Sequence, residues 1–235
     1  MKKTVSIIIL CALVFCTLSV SAQNVKLSKV QQENESTAKT EPENEILVLK
    51  TDIALLNDMG IMTDVEGGPF DTVTREETAR VVSQILGLEN FSEPCSFLDV
   101  DKSNSYLGNI GLLQKQGILL GDGDGNYRPK DEITYYEFIK VVVTLLGYEP
   151  MALSKDNGFP KGYLNVSEQI GLYIYPMGED APINKNDMAK IIVKALGIPV
   201  MMQTSYGANA EYQVMDGKDG RALITLTTQM AKETE

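Results

Sequence analysis

The sequence predicts a mainly α-helical fold made of three helix–loop–helix repeats over residues 46–200, followed by a β-hairpin. Three observations lead there. Gly60-Ile61 recurs as Gly117-Ile118 and as Gly171-Leu172, at intervals of 57 and 54 residues. A helix-start signal recurs at Thr74, Thr134 and Asn184, at intervals of 60 and 50. Leu86-Gly87-Leu88, Leu146-Gly147-Tyr148 and Leu196-Gly197-Ile198 keep those same two intervals. Three landmarks in one order, three times over, mark internal repetition.

The elements follow in chain order. Lys2 and Lys3, the apolar run Val5 to Leu18, and the small residues Val20-Ser21-Ala22 have the order of a secretory signal peptide over residues 1–22. The apolar run is short for a membrane span, so no membrane contact is expected after cleavage. Residues 23–45 are polar and charged and read as a disordered linker. From Ile46, apolar residues Leu47, Leu49, Ile53, Leu56 and Met59 recur at roughly helical spacing, and Gly60 stops the helix. The repeats are then 46–92, 93–150 and 151–200, packed as one compact domain, because no single helix pair can bury its apolar face alone.

The second helix of each repeat is the better specified. Thr74-Arg75-Glu76-Glu77 and Thr134-Tyr135-Tyr136-Glu137 fit the capping box, in which the hydroxyl accepts from the N3 amide and the glutamate reaches back to the cap amide. Asn184-Lys185-Asn186-Asp187 follows the same logic. Ile133 with Phe138, and Ile183 with Met188, have the spacing of a hydrophobic staple. Ala79, Val82 and Leu86 line the first of these helices, Phe138, Val141, Val142 and Leu145 the second, and Met188, Ile191, Ile192 and Leu196 the third. Gly87, Gly147 and Gly197 are expected as left-handed C-terminal caps. In the tail, 201–235, Glu211 to Met215 and Arg221 to Thr228 flank Asp216-Gly217-Lys218-Asp219-Gly220, the pattern of a hairpin that must pack on the helices to be stable.

Composition excludes several functions. The formal charge is −11, and −13 once Lys2 and Lys3 are lost, which argues against nucleic acid as a partner. Histidine is absent, which removes His-based triads, His-based zinc sites and the usual general base near neutral pH. Cys11 and Cys16 lie in the signal, so Cys95 alone remains and forms no internal disulfide. Glycosidase chemistry by paired carboxylates stays open in principle, but no pair stands out. Asp122, Asp124 and Asn126 mimic the first positions of a calcium loop, yet Tyr127 and Ile133 occupy the sixth and twelfth places, where glycine and glutamate are required. No metal, cofactor or catalytic residue is expected.

The candidate binding residues lie at the helix starts. Arg75 and Lys185 each follow a cap directly. A cation there opposes the helix dipole and more often marks a solvated charge. It becomes a site if an anion binds, because free amides, helix end and side-chain cation then converge on one carboxylate or phosphate. Tyr106, before a helix, suits either sugar stacking or partial burial.

The run Phe97-Leu98-Asp99-Val100, Gly117-Ile118, Gly121-Asp122-Gly123, Tyr127-Arg128-Pro129 and Ile133-Thr134 to Leu146-Gly147 resembles the S-layer homology (SLH) domain, and residues 46–92 and 151–200 look like diverged copies. The resemblance implies a pseudo-threefold helical bundle of three repeats. It implies a secreted protein held at the cell surface, in the cell wall or S-layer of a Gram-positive bacterium. The partner it implies is a secondary cell-wall polysaccharide, often pyruvylated, bound in grooves between repeats. The family motif T-R-A-E supplies the cation for the acidic ketal. It maps onto Thr74 and Arg75 with the arginine kept, onto Asn184 and Lys185 with a lysine, and onto Thr134 and Tyr135 with no cation. Asp99, and Tyr106 in place of the family's usual tryptophan, complete the implied glycan-binding set. The lost cation at Tyr135 and the absence of tryptophan would equally suit a scaffold for other exported proteins. The stretch from Thr204 to Gly217 also looks like the one that follows the repeats in longer exported members, so a short or truncated relative is expected.

Overall fold

The computed structural model describes residues 52–154, 158–172, 180–205 and 210–232. The expected signal peptide and linker lie outside the described residues, as do residues 46–51 of the first repeat. Helical residues 52–58 form α1. They are followed by α2 (Arg75–Ile85), α3 (Leu107–Lys115), α4 (Tyr135–Leu145), α5 (Glu149–Ser154), α6 (Lys161–Gln169) and α7 (Lys185–Leu196). Then come β1 (Met201–Gln203), β2 (Tyr212–Val214) and α8 (Leu226–Lys232). No helix among the described residues is long and apolar enough to cross a membrane.

The expected caps form. Thr74 and Thr134 each accept from the N3 amide, while Glu77 and Glu137 bond back to the cap amide. Asn184 accepts from the Asp187 amide at 2.9 Å. At the other end of α2 and α4, the amides of Leu88 and Tyr148 reach the carbonyls of Ser83 and Val143 at 2.8 and 3.0 Å, the Schellman pattern. Gly197 departs from expectation. Its φ is −96°, because α7 runs on to Leu196 and the chain leaves toward Pro199 without a left-handed residue.

Three extended residues join the capped helices. Val73 donates to Ile183 at 3.1 Å, Ile183 to Ile133 at 3.0 Å, and Ile133 to Val73 at 2.9 Å, which closes a ring of three backbone hydrogen bonds. All three side chains are buried. One residue past each cap the pattern repeats, as the amides of Arg75, Tyr135 and Lys185 donate to the carbonyls of Asp131, Ala181 and Asp71 at 2.9, 2.8 and 3.1 Å. The helix starts are therefore fixed by other segments of the chain, and their first amides are already used.

The apolar periodicity undercounts the core. Ala79 and Val82 of α2 join Ile110, Leu113, Tyr127 and Val141 in one cluster. Val81 and Ile85 of the same helix enter a larger cluster with Phe138, Val142, Ile191 and Leu196. The helices α2 and α4 are thus wedged between two clusters and bury two faces each, where one face was expected.

The tail corrects the hairpin. β2 pairs antiparallel with β1, Met202 opposite Gln213, not with residues 221–228. The glycine turn still brings Leu223 back to Asp216 in a single bridge. Beyond it, the Thr225 amide donates to the Thr228 hydroxyl at 2.8 Å and the Thr228 amide to the Thr225 hydroxyl at 3.2 Å, and α8 begins there with Leu226 buried in the larger cluster. A threonine cap and one buried leucine thus overrode the β-propensity of the threonine-rich run. A second closed ring holds the tail: Val200 donates to Ile224, Ile224 to Met215, and Met215 to Val200, each at 2.9 Å.

Candidate functional site

Two cavities lie at the starts of capped helices. The first, about 320 Å³, is lined by Arg75, Tyr127, Arg128, Glu137, Lys140 and Phe159, with the loop after α3 as its floor. The second, about 380 Å³, is lined by Ile53, Asn57, Met62, Thr63, the loop after α1 and Lys185. Arg75 opens α2 and Lys185 opens α7. Each therefore enters a cavity whose floor follows a different helix. Tyr135 holds the corresponding place in α4 and is buried. Residues 173–179, which follow α6 in sequence, lie outside the described residues.

Arg75 is fixed on every side. Its Nε donates to the Tyr127 carbonyl at 2.7 Å and its Nη1 to Glu137 Oε1 at 2.6 Å. The guanidinium lies 5.0 Å from the centre of the Tyr127 ring. That ring stacks on Phe97 at 5.3 Å, and its hydroxyl donates back to the Arg75 carbonyl at 2.6 Å. Burial pushes the Tyr127 phenol far above its ordinary value, so it stays a neutral donor under the cation.

Arg128 approaches the same carboxylate, with Nη2 3.5 Å from Glu137 and Nη1 3.5 Å from Asp131. Its φ of 58° is left-handed and costly for arginine. Asp99 holds it there by accepting the amides of Tyr127 and Arg128 at 2.8 and 2.7 Å. Lys140, one turn along α4 from Glu137, is half-buried. Its Nζ stands 5.6 Å from the ring centre of Phe159 and 5.8 Å from that of Tyr163. Burial, reinforced by the bond to Glu149, pushes the Tyr163 phenol up. Phe159 keeps 46% of its surface exposed at the cavity wall.

Lys185 is only 4% exposed. Gly67, with φ of 100°, leaves room for it, since a Cβ there would lie 2.7 Å from the ammonium. Among the described residues no carboxylate pairs with Lys185.

The six residues singled out from sequence thus separate. Arg75 and Lys185 line different cavities. Thr74 and Thr134 turn their hydroxyls to their own helix caps. Asp99 clamps a loop and lines neither cavity. Tyr106 precedes α3, half-buried against the smaller cluster. Its phenol is raised by burial and by the charge of Glu77. The expected convergence of free amides on an anion fails, because the first amides of α2 and α7 bond to Asp131 and Asp71. Sequence reasoning missed Arg128, Glu137, Lys140 and Phe159 as cavity residues. The spacing of Glu137 and Lys140, three apart on one helix face, was a usable signal. Nothing local marked Phe159. The calcium-like loop is an Asx turn, with Asp122 Oδ1 accepting from the amides of Asp124 and Asn126 at 2.9 and 3.2 Å. No group of three metal-ligating side chains occurs among the described residues.

Residues 96–139, which carry the Asp99 clamp, α3, the floor of the first cavity and the start of α4, match the family model for the S-layer homology domain. The chain carries an S-layer homology domain. The chain is 28% identical over 179 residues to the Cell surface protein of Thermoanaerobacter kivui, covering 73% of this chain and 21% of the relative. It is 23% identical over 187 residues to the Middle cell wall protein of Brevibacillus brevis, covering 77% of this chain and 17% of that protein. With the Surface layer protein of Brevibacillus choshinensis it shares 26% over 188 residues, covering 75% and 16%. The chain spans about a fifth or less of the length of these curated relatives. The S-layer homology segment holds most of the first cavity, while Arg75 and Phe159 reach it from either side in sequence.

Proposed function

We propose that this chain is a non-catalytic anchoring module that binds an acidic polysaccharide of the cell wall in grooves between three repeats, 46–92, 93–150 and 151–200, arranged with pseudo-threefold symmetry. Its place is the cell surface, in keeping with the S-layer homology domain and with relatives named as cell-surface and cell-wall proteins. One observation carries the reading. Twice, a cation at the first position of a capped helix enters a cavity floored by the loop after another helix. The ring joining Val73, Ile133 and Ile183 supports the threefold arrangement, because it relates the same position in each repeat.

In this reading Arg75 and Lys185 belong to two grooves, and Phe159 offers a sugar platform in the first. Thr74, Thr134 and Asp99 act by holding the backbone that shapes the grooves, and Tyr106 by packing beside it. The third corner, with Tyr135, contributes no cation. The pairing of Glu137 with Arg75 gives some support to a second reading, a scaffold for exported proteins whose glycan sites are lost.

Co-sedimentation with purified walls of the bacterium that encodes the chain tests both. The expected result is sedimentation with intact walls, lost after hydrofluoric acid strips the wall polysaccharide and reduced by Phe159→Ala. Equal sedimentation with stripped walls overturns the glycan reading. Failure to sediment at all, with capture of an exported protein instead, favours the scaffold.

A further inference from the structure

We propose that Lys140, not Arg75, is the residue that makes the first cavity select an acidic glycan over a neutral one. This rests on the glycan reading of that cavity. The inference comes from which cations there are already paired. Arg75 is 2.6 Å from Glu137, donates to a backbone carbonyl and lies against a buried ring. Its guanidinium is a fixed part of the wall, and its charge is met by a carboxylate of the protein itself. Arg128 stands 3.5 Å from that same carboxylate and 3.5 Å from Asp131. Asp122 adds a further negative charge to the lining.

Lys140 differs in kind. It lines the same cavity, yet among the described residues no carboxylate pairs with it. What holds its ammonium is two aromatic faces, Phe159 and Tyr163. Aromatic faces position a cation without neutralising it, so Lys140 keeps its charge available to a ligand. Phe159 is both the ring under Lys140 and the exposed aromatic of the cavity wall. A sugar lying against Phe159 and carrying a carboxylate on its ring would bring that group to the ammonium. Lys140 thereby brings to the first cavity, from the second turn of α4, a cation that no carboxylate among the described residues pairs with.

Calorimetric titration tests this, using soluble polysaccharide released from the walls of the encoding bacterium and the same polymer after methyl esterification, which removes charge and keeps the sugar. Wild type is expected to prefer the acidic form. In Lys140→Gln the two forms should bind alike, with affinity for the acidic polymer down about tenfold, the size of one charge-assisted hydrogen bond. Lys140→Arg should restore the preference, and unchanged thermal unfolding of both variants separates this from a folding defect. A preference that survives in Lys140→Gln overturns the inference and leaves the glycan reading standing, as does a wild type that binds both forms equally. A wild type that binds neither form overturns both.

Discussion

At the scale of single residues, Arg75 shows how a surface motif becomes interior chemistry. Its side chain is 9% exposed and its partner carboxylate on Glu137 is 26% exposed. Removing one member of such a pair leaves the other charge poorly compensated. We therefore expect Arg75→Met to destabilise the fold by about 2 kcal/mol, below the cost of breaking a fully buried pair because Glu137 still meets water and Arg128. Urea unfolding would measure it. Arg75→Met combined with Glu137→Gln should recover part of the loss, whereas strict additivity would show that the pair is not coupled. The sequence placed a cation correctly at the first position of α2, because capping signals are local. It did not reveal the partner, because Glu137 lies 62 residues away and meets Arg75 only through the closed ring of backbone bonds. Lys140 was missed for a related reason, since its two aromatic neighbours come from a distant segment.

At the scale of elements, the well-read parts were those with short-range chemistry. Threonine caps, glutamates three residues on and glycine stops gave the boundaries of α2 and α4. The tail was misread because alternating β-branched residues look the same whether they pair in a strand or follow a threonine cap. Gly147 links the two regimes. Its φ is 82°, and a Cβ there would overlap the Met201 carbonyl oxygen as β1 crosses the end of α4. In the same crossing, the Met201 amide donates to the Leu146 carbonyl at 2.9 Å. Gly147→Ala should therefore cost about 2 kcal/mol from the backbone strain alone. Amide exchange should show β1 and β2 losing protection ahead of α4. Uniform loss across both would mean that the tail does not dock through this crossing.

At the scale of the whole molecule, the arrangement differs from a linear stack. In stacked repeats each unit touches only its neighbours and unfolding can begin anywhere. Here the first capped helix is bonded directly to the third, through Val73 to Ile183 and Lys185 to Asp71, and the larger cluster draws on α1, α2, α4, α6 and α7 together. A single cooperative transition is expected. With ten tyrosines and no tryptophan, tyrosine emission and far-ultraviolet circular dichroism should report coincident urea midpoints. Separated midpoints would mean that parts of the helical core unfold one by one.

The ring at Val73, Ile133 and Ile183 also acts as a counting device. Each of these residues has one backbone donor and one acceptor, and the cycle uses all six. A fourth segment would find no vacant N–H donor among these three residues. The residue after each cap differs, arginine, tyrosine and lysine in turn, but all three segments meeting at this point have spent their N–H donors on one another.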